Sequence, residues 1–138
     1  MEVQTRDAYT VVAVGGAVGA CARYVCVELQ PASTAGFPWS VLLINVLGSA
    51  LLAWVLVLGE QRFPASSPWH HLWRPFAATG VMGGFTTTSA WAVLSVEFFN
   101  SGQALAGLGF AFGSLMAALV AYVLSHELAV GLVRRRKA

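Results

Sequence analysis

Long uncharged runs dominate this chain. No Asp, Glu, Lys or Arg falls between Gln30 and Gly59, and none between Phe98 and Ser125. A helix needs about 20 mostly apolar residues to cross the hydrocarbon of a bilayer. Four stretches meet that length: Ala8 to Val27, with Arg23 as its one charge; Pro38 to Leu58; Pro75 to Phe99, with Glu97 near its end; and Ala104 to Leu124. The runs are continuous rather than alternating, which predicts helices and not barrel strands. The composition agrees. Of the 138 residues, 57% are hydrophobic and 10% charged, whereas a soluble domain carries about 25% charged residues. So few charges exclude a soluble enzyme, and so much apolar surface excludes a disordered chain. The expectation is an all-α membrane protein, with residues 1–138 forming a single domain of four transmembrane helices.

The connections are short. Gln30 to Phe37 holds Pro31 and Gly36, Glu60 to Arg74 holds Pro64 and Pro68, and Asn100 to Gln103 reads as a tight polar turn. The first run is long enough to span and no cleavage site follows a short apolar core, so it reads as a span and not a removed leader. Loop charges set the orientation. With four spans, Arg6, Arg62, Arg74, Arg134, Arg135, Arg136 and Lys137 fall on one side, and no Lys or Arg falls in the opposite loops. That bias predicts both termini in the cytoplasm. The expected location is the inner (plasma) membrane. The Arg134–Lys137 cluster reads as a basic anchor at the lipid surface, not a nucleic-acid site. Cys21 and Cys26 point in different directions on one helix, and adjacent His70 and His71 offer no chelating face.

Polar groups within a bilayer are costly and mark function. In the first span Gly15, Gly19 and Arg23 recur every fourth residue, a close-packing stripe that ends in a cation. Arg23 either snorkels to the headgroups or turns inward, where it neutralises or attracts an anion. Asn45, Gly48 and Ser49 share one face of the second span. Asn45 offers two amide hydrogens, for helix glue or for a ligand. In the fourth span Gly109, Gly113, Ala117 and Ala121 predict a packing seam, with Ser114 beside it.

The third span is the unusual one. Gly83 and Gly84 are followed by Phe85 and then by four hydroxyl residues, Thr86, Thr87, Thr88 and Ser89. Glycine costs a helix about 1 kcal/mol relative to alanine, and the threonine hydroxyls compete for backbone partners. A break near Gly83–Thr86 is therefore expected. At membrane depth such a break survives only when buried in protein or lining an ion site. Freed carbonyls there suit a cation, whereas freed N–H groups and hydroxyls suit an anion.

These motifs together resemble the Fluc (CrcB-type) fluoride channels. The first-span sequence Gly15-Gly16-Ala17-Val18-Gly19-Ala20-Cys21-Ala22-Arg23-Tyr24 is similar to that family's GGxxGAxxRY pattern. Ile44-Asn45-Val46-Leu47-Gly48-Ser49 is similar to its VNxxGS pattern, and the run from Gly80 to Trp91 to its GxxGGxTTFSTF pattern. The resemblance implies an antiparallel, dual-topology dimer of four-helix subunits with two fluoride pathways near the interface. It also implies a structural sodium ion held by the backbone carbonyls of Gly83 and Thr86. Asn45 would line the pathway, with Thr87, Thr88, Ser89, Trp91, Ser114 and Arg23 along or near it. Fluoride would leave the cell passively, giving fluoride resistance, with no catalysis.

The chain departs from that pattern. Thr88 and Trp91 stand where the family has pore-facing phenylalanines, Ala90 where it has a threonine, and Leu94 where an acid is frequent. Phe110 replaces a tyrosine and Ala118 a hydroxyl residue. The seven-to-zero loop bias also fixes one orientation, which predicts pairing with a homologous, oppositely oriented subunit. A non-conducting partner subunit of such a heterodimer is the alternative. A proton-coupled exporter of the small multidrug type would need an acid at membrane depth, and Glu28 and Glu97 lie near span ends.

Overall fold

The computed structural model describes residues 2–29, 37–67 and 69–137, with side chains described for 6–29, 37–67 and 69–135 within them. The expected turn at Pro31 and Gly36, together with Pro68 and the side chains of Arg136 and Lys137, lies outside the described residues. Every regular element among the described residues is helical: α1 (Glu2–Glu28), α2 (Trp39–Arg62), α3 (His70–Arg74), a π-helical segment (Pro75–Met82), α4 (Gly83–Phe85), α5 (Thr88–Asn100) and α6 (Ala104–Lys137). The pieces from His70 to Asn100 form one interrupted leg.

Three helices are long and apolar enough to cross a membrane: α1 over Arg6–Glu28, α2 over Trp39–Arg62 and α6 over Ala104–Arg135. Helix α6 does not stop at Leu124, where the uncharged run ends. It continues to Lys137, because Leu, Ala and Arg propagate a helix in lipid or in water. The third leg is where the break was expected, displaced slightly toward the C-terminus. Thr86 (φ −77°, ψ 161°) and Thr87 (φ −142°, ψ 112°) are both extended. The wider π winding ahead of the break was not foreseen from the sequence.

Contacts fix the direction of each leg. Gly15 faces Phe76 and Gly80, and Gly19 faces Val81 and Phe85, so α1 runs parallel to the interrupted leg. Gly48 faces Phe85 and Thr86 while Gly59 faces the Trp73 indole, so α2 runs antiparallel to it. Gly107 faces Ser95 and Phe98 while Ser114 meets Trp91, so α6 runs antiparallel to α5. Helix α6 also packs along α2. Four legs therefore alternate up and down. The alternation brings Arg6, Arg62, Arg74, Arg134 and Arg135, all exposed, to one end of the bundle. At the other end Gly102, at φ +75°, closes the α5–α6 turn. There Ser101 N–H donates to Glu97 (3.0 Å) and Gln103 N–H to Phe98 (2.9 Å).

The first-span stripe packs as expected; of the fourth-span stripe, Ala117 and Ala121 are half-buried, whereas the glycines face away from the rest of this chain. Gly109 and Gly113 are exposed, with nothing of this chain near the position of a Cβ. Helix α6 instead turns the neighbouring row, Gly107, Phe110 and Ser114, inward, and all three are buried. Spacing by four cannot distinguish two adjacent rows of one helix. Little of the apolar surface is covered: 11%, 28% and 17% of the most apolar windows of α1, α2 and α6 are buried within the chain. Leu105 (85% exposed) and Phe112 (65%) typify the rest, which demands lipid or protein around it.

The tightest seam makes the sharpest test. A Cβ on Gly19 would lie 2.8 Å from the Phe85 backbone nitrogen and against the Val81 carbonyl, and backbone cannot move aside cheaply. Gly19→Val should cost about 3 kcal/mol or more by overpacking. Gly131→Ala meets nothing within 4 Å and should stabilise the helix by about 0.5–1 kcal/mol. Thermal unfolding of the purified variants in detergent reads both, and equal effects would show that α1 is not seated as described.

Candidate functional site

The break is held from two sides. Helix α1 approaches through Gly19, whose missing side chain admits the Val81 and Phe85 backbone; Gly84 in turn lies against the Gly16 backbone. Helix α2 approaches through Gly48, where a Cβ would run into Thr86 and lie 3.1 Å from the Phe85 ring. One turn before Gly48 stands Asn45. Its amide makes two bonds to one residue of the break: Thr87 N–H donates to Asn45 Oδ1 at 2.8 Å, and Asn45 Nδ2 donates to the Thr87 carbonyl at 3.0 Å. The side chain thus replaces a neighbouring backbone strand. Unwound polar groups of this kind, unpaired in an apolar setting, would cost several kcal/mol.

The break then restarts a helix on its own residues. Thr87 Oγ1 accepts from Ala90 N–H at 3.2 Å and caps α5. Ser89 Oγ lies 3.4 Å from the same Thr87 hydroxyl. On the upstream side Thr86 N–H and Thr86 Oγ1 both donate to the Met82 carbonyl, at 3.0 and 2.9 Å. Thr87 N–H would close a helical turn on the Gly83 carbonyl, but it is taken by Asn45, so that carbonyl loses its helical donor. The Thr86 carbonyl accepts from Arg23 Nη1 at 3.4 Å. Arg23 is half-buried and turned inward. Among the described residues no carboxylate pairs with it.

Beside the break lies an open groove of about 330 Å³. Six residues singled out from the sequence line it: Asn45, Gly83, Thr86, Thr88, Trp91 and Ser114. Three do not. Thr87 is buried behind Asn45, Ser89 faces outward as a partner of Thr87, and Arg23 reaches Thr86 from the α1 side. Ser49, in the same groove, was recognisable on the Asn45 face of α2 but carried no assigned role.

The hydrogen-bond inventory decides what the groove offers. Trp91 Nε1 donates to Ser114 Oγ at 2.9 Å and lies 3.3 Å from the Ala111 carbonyl. Ser114 Oγ in turn donates to the Phe110 carbonyl at 2.5 Å. Both donors are therefore spent, that of Trp91 on joining α5 to α6 and that of Ser114 on a carbonyl of its own helix. Asn45 keeps its second amide hydrogen. Among the described residues the Ser49 and Thr88 hydroxyls make no hydrogen bond within the chain. The groove thus presents unused donors and no carboxylate, a chemistry for an anion. The Gly83 and Thr86 carbonyls are hard oxygen donors that suit an alkali or alkaline-earth cation, although the Thr86 oxygen already receives a guanidinium.

A family model described as CrcB-like protein, Camphor Resistance (CrcB), matches residues 10–126. The chain is 41% identical over 111 residues to the fluoride-specific ion channel FluC 1 of Streptomyces coelicolor, covering 80% of this chain and 70% of that protein. It is 37% identical over 128 residues to the fluoride-specific ion channel FluC of Thermus thermophilus, covering 92% and 97%. A Ruegeria protein of the same name is 42% identical over 113 residues, covering 78% and 85%. The match runs from α1 through the break and its groove into α6, and the chain belongs to the CrcB-like protein family.

Proposed function

We propose that this chain is a subunit of a fluoride-specific channel and lets cytoplasmic fluoride leave down its gradient. The observation that carries the reading is the Asn45–Thr87 pair, which holds an unwound segment open beside a groove of unused donors. Fluoride is small and strongly hydrated, so a pore must replace its water with closely placed donors. The second Asn45 hydrogen and the Ser49 and Thr88 hydroxyls are such donors. The aromatic edge of Trp91 adds partial positive charge. No bond is made or broken in the transported ion, so no catalytic group is called for.

In this reading the interrupted leg is the third of four transmembrane crossings. The subunit sits in the inner membrane with its basic end, and both termini, in the cytoplasm. The exposed apolar faces meet lipid and a second, oppositely inserted subunit. The carbonyls of Gly83 and Thr86 would hold a structural sodium ion, whose positive charge lowers the cost of an anion nearby. Five arginines gathered at one end favour a single orientation and hence a homologous partner of opposite orientation.

A second reading has one observation in its favour. Trp91 and Ser114 are bonded to each other across the groove, which withdraws both from an anion. A subunit in this state would support a pore formed by its partner.

Liposome efflux tests these readings. Asn45→Asp removes the donor to Thr87 and places negative charge in the groove. It should lower fluoride efflux by about 100-fold, the equivalent of roughly 3 kcal/mol; unchanged efflux would remove Asn45 from the pathway. Silence of the wild type alone is expected of both readings; conduction in the presence of a homologous partner that is unaffected by Asn45→Asp in this chain would favour the second. Orientation is read separately, by labelling tags at the termini from each side of the membrane. Labelling from the cytoplasmic side only is expected, and a conducting homodimer labelled from both sides would refute obligatory pairing.

A further inference from the structure

We infer that the Trp91 indole N–H is a brake on this groove: it keeps the Ser114 proton turned away from an anion, and its removal speeds fluoride. The inference rests on the channel reading and names the side chain that limits the rate. The first ground is what each wall offers. Helix α6 brings Ser114, Leu115 and Ala118 to the groove. Ser114 is the one hydroxyl among them, so a Ser114 that cannot donate silences the whole α6 wall. The second ground is place. Trp91 and Ser114 both line the groove, and the indole nitrogen lies 2.9 Å from Ser114 Oγ. An anion taking the Ser114 proton would have to stand at about that distance. The nitrogen stands there already, and as a donor.

The third ground is the direction of the proton. A hydroxyl has one hydrogen and two lone pairs. One lone pair faces the indole N–H, so the hydrogen cannot point that way. It goes to the Phe110 carbonyl at 2.5 Å, with the Ala111 carbonyl 3.3 Å away. The carbonyl four residues back is a common acceptor for a helical serine. Without the indole N–H the choice reopens. The hydrogen can then swing from the Phe110 carbonyl toward the groove, and a bond to an anion is roughly twice as strong as one to a neutral carbonyl. That exchange adds an α6 donor to those of Asn45, Ser49 and Thr88 in the same groove. Trp91 acts through Ser114 and is therefore a positioning residue.

Four full-length proteins test this: wild type, Trp91→Phe, Ser114→Ala and the double variant. Each is reconstituted with a homologous partner subunit, and fluoride efflux is compared. Trp91→Phe keeps an aromatic ring and loses only the N–H. It should speed efflux by about tenfold, the equivalent of one hydrogen bond. The double variant should run no faster than Ser114→Ala, because the gain travels through the freed hydroxyl. A ring that merely obstructs the groove would give the gain with or without Ser114, and that result would overturn the inference. Should Trp91→Phe yield no folded protein, Trp91→Leu, which also lacks the donor, carries the same comparison. Efflux at one rate from wild type and from the Trp91 variant would likewise overturn the inference and leave the channel reading standing. No efflux from any of the four would end both.

Discussion

Everything distinctive in this molecule is organised around one side-chain amide. Asn45 offers a donor and an acceptor in one plane, and Thr87 offers a carbonyl and an N–H in matching order. Without that pairing, the extended backbone of Thr87 would sit within an apolar bundle unsatisfied, and re-forming the helix would be the cheaper outcome. The glycines complete the seat. Gly19 on α1 and Gly48 on α2 let both neighbours close to backbone distance. The three motifs seen along the sequence are thus three walls of one site.

Much of this was legible in the residues, for physical reasons that differ from element to element. Apolar length located α1, α2 and α6, because a bilayer imposes a minimum span. Adjacent glycines and a threonine run located the break, because they weaken a helix and offer rival hydrogen bonds. The Gly15–Gly19 stripe was read correctly as a seam. The glycines of the Gly109–Gly113 stripe meet nothing of this chain, since a helix with small residues on adjacent rows does not announce which row a given neighbour takes. The π winding over Pro75–Met82 was invisible, because its apolar pattern is that of any membrane helix. The use of Asn45 stood open between glue and ligand. Its geometry employs most of the amide as glue and leaves a single hydrogen for anything else.

The indole of Trp91 has a structural meaning that its mere presence in the sequence did not reveal. Phenylalanine offers only a weakly positive ring edge, but an indole carries a true N–H donor. In an apolar setting that donor needs an acceptor, and Trp91 finds Ser114. Ser114 thereby gains a partner on one side while its own proton goes to Phe110. The Trp91 ring therefore makes a pair of groove-lining groups into a tie between α5 and α6. Thr88, in the same groove, leaves its hydroxyl unused.

The sparse burial within α1, α2 and α6 carries a thermodynamic consequence. A bundle that hides so little of itself draws cohesion from whatever surrounds it, by mass action. Its unfolding temperature is then not an intrinsic constant of the polypeptide. It should slide with the lipid around it and, where the proposed second subunit covers those faces, with the density of chains in the bilayer.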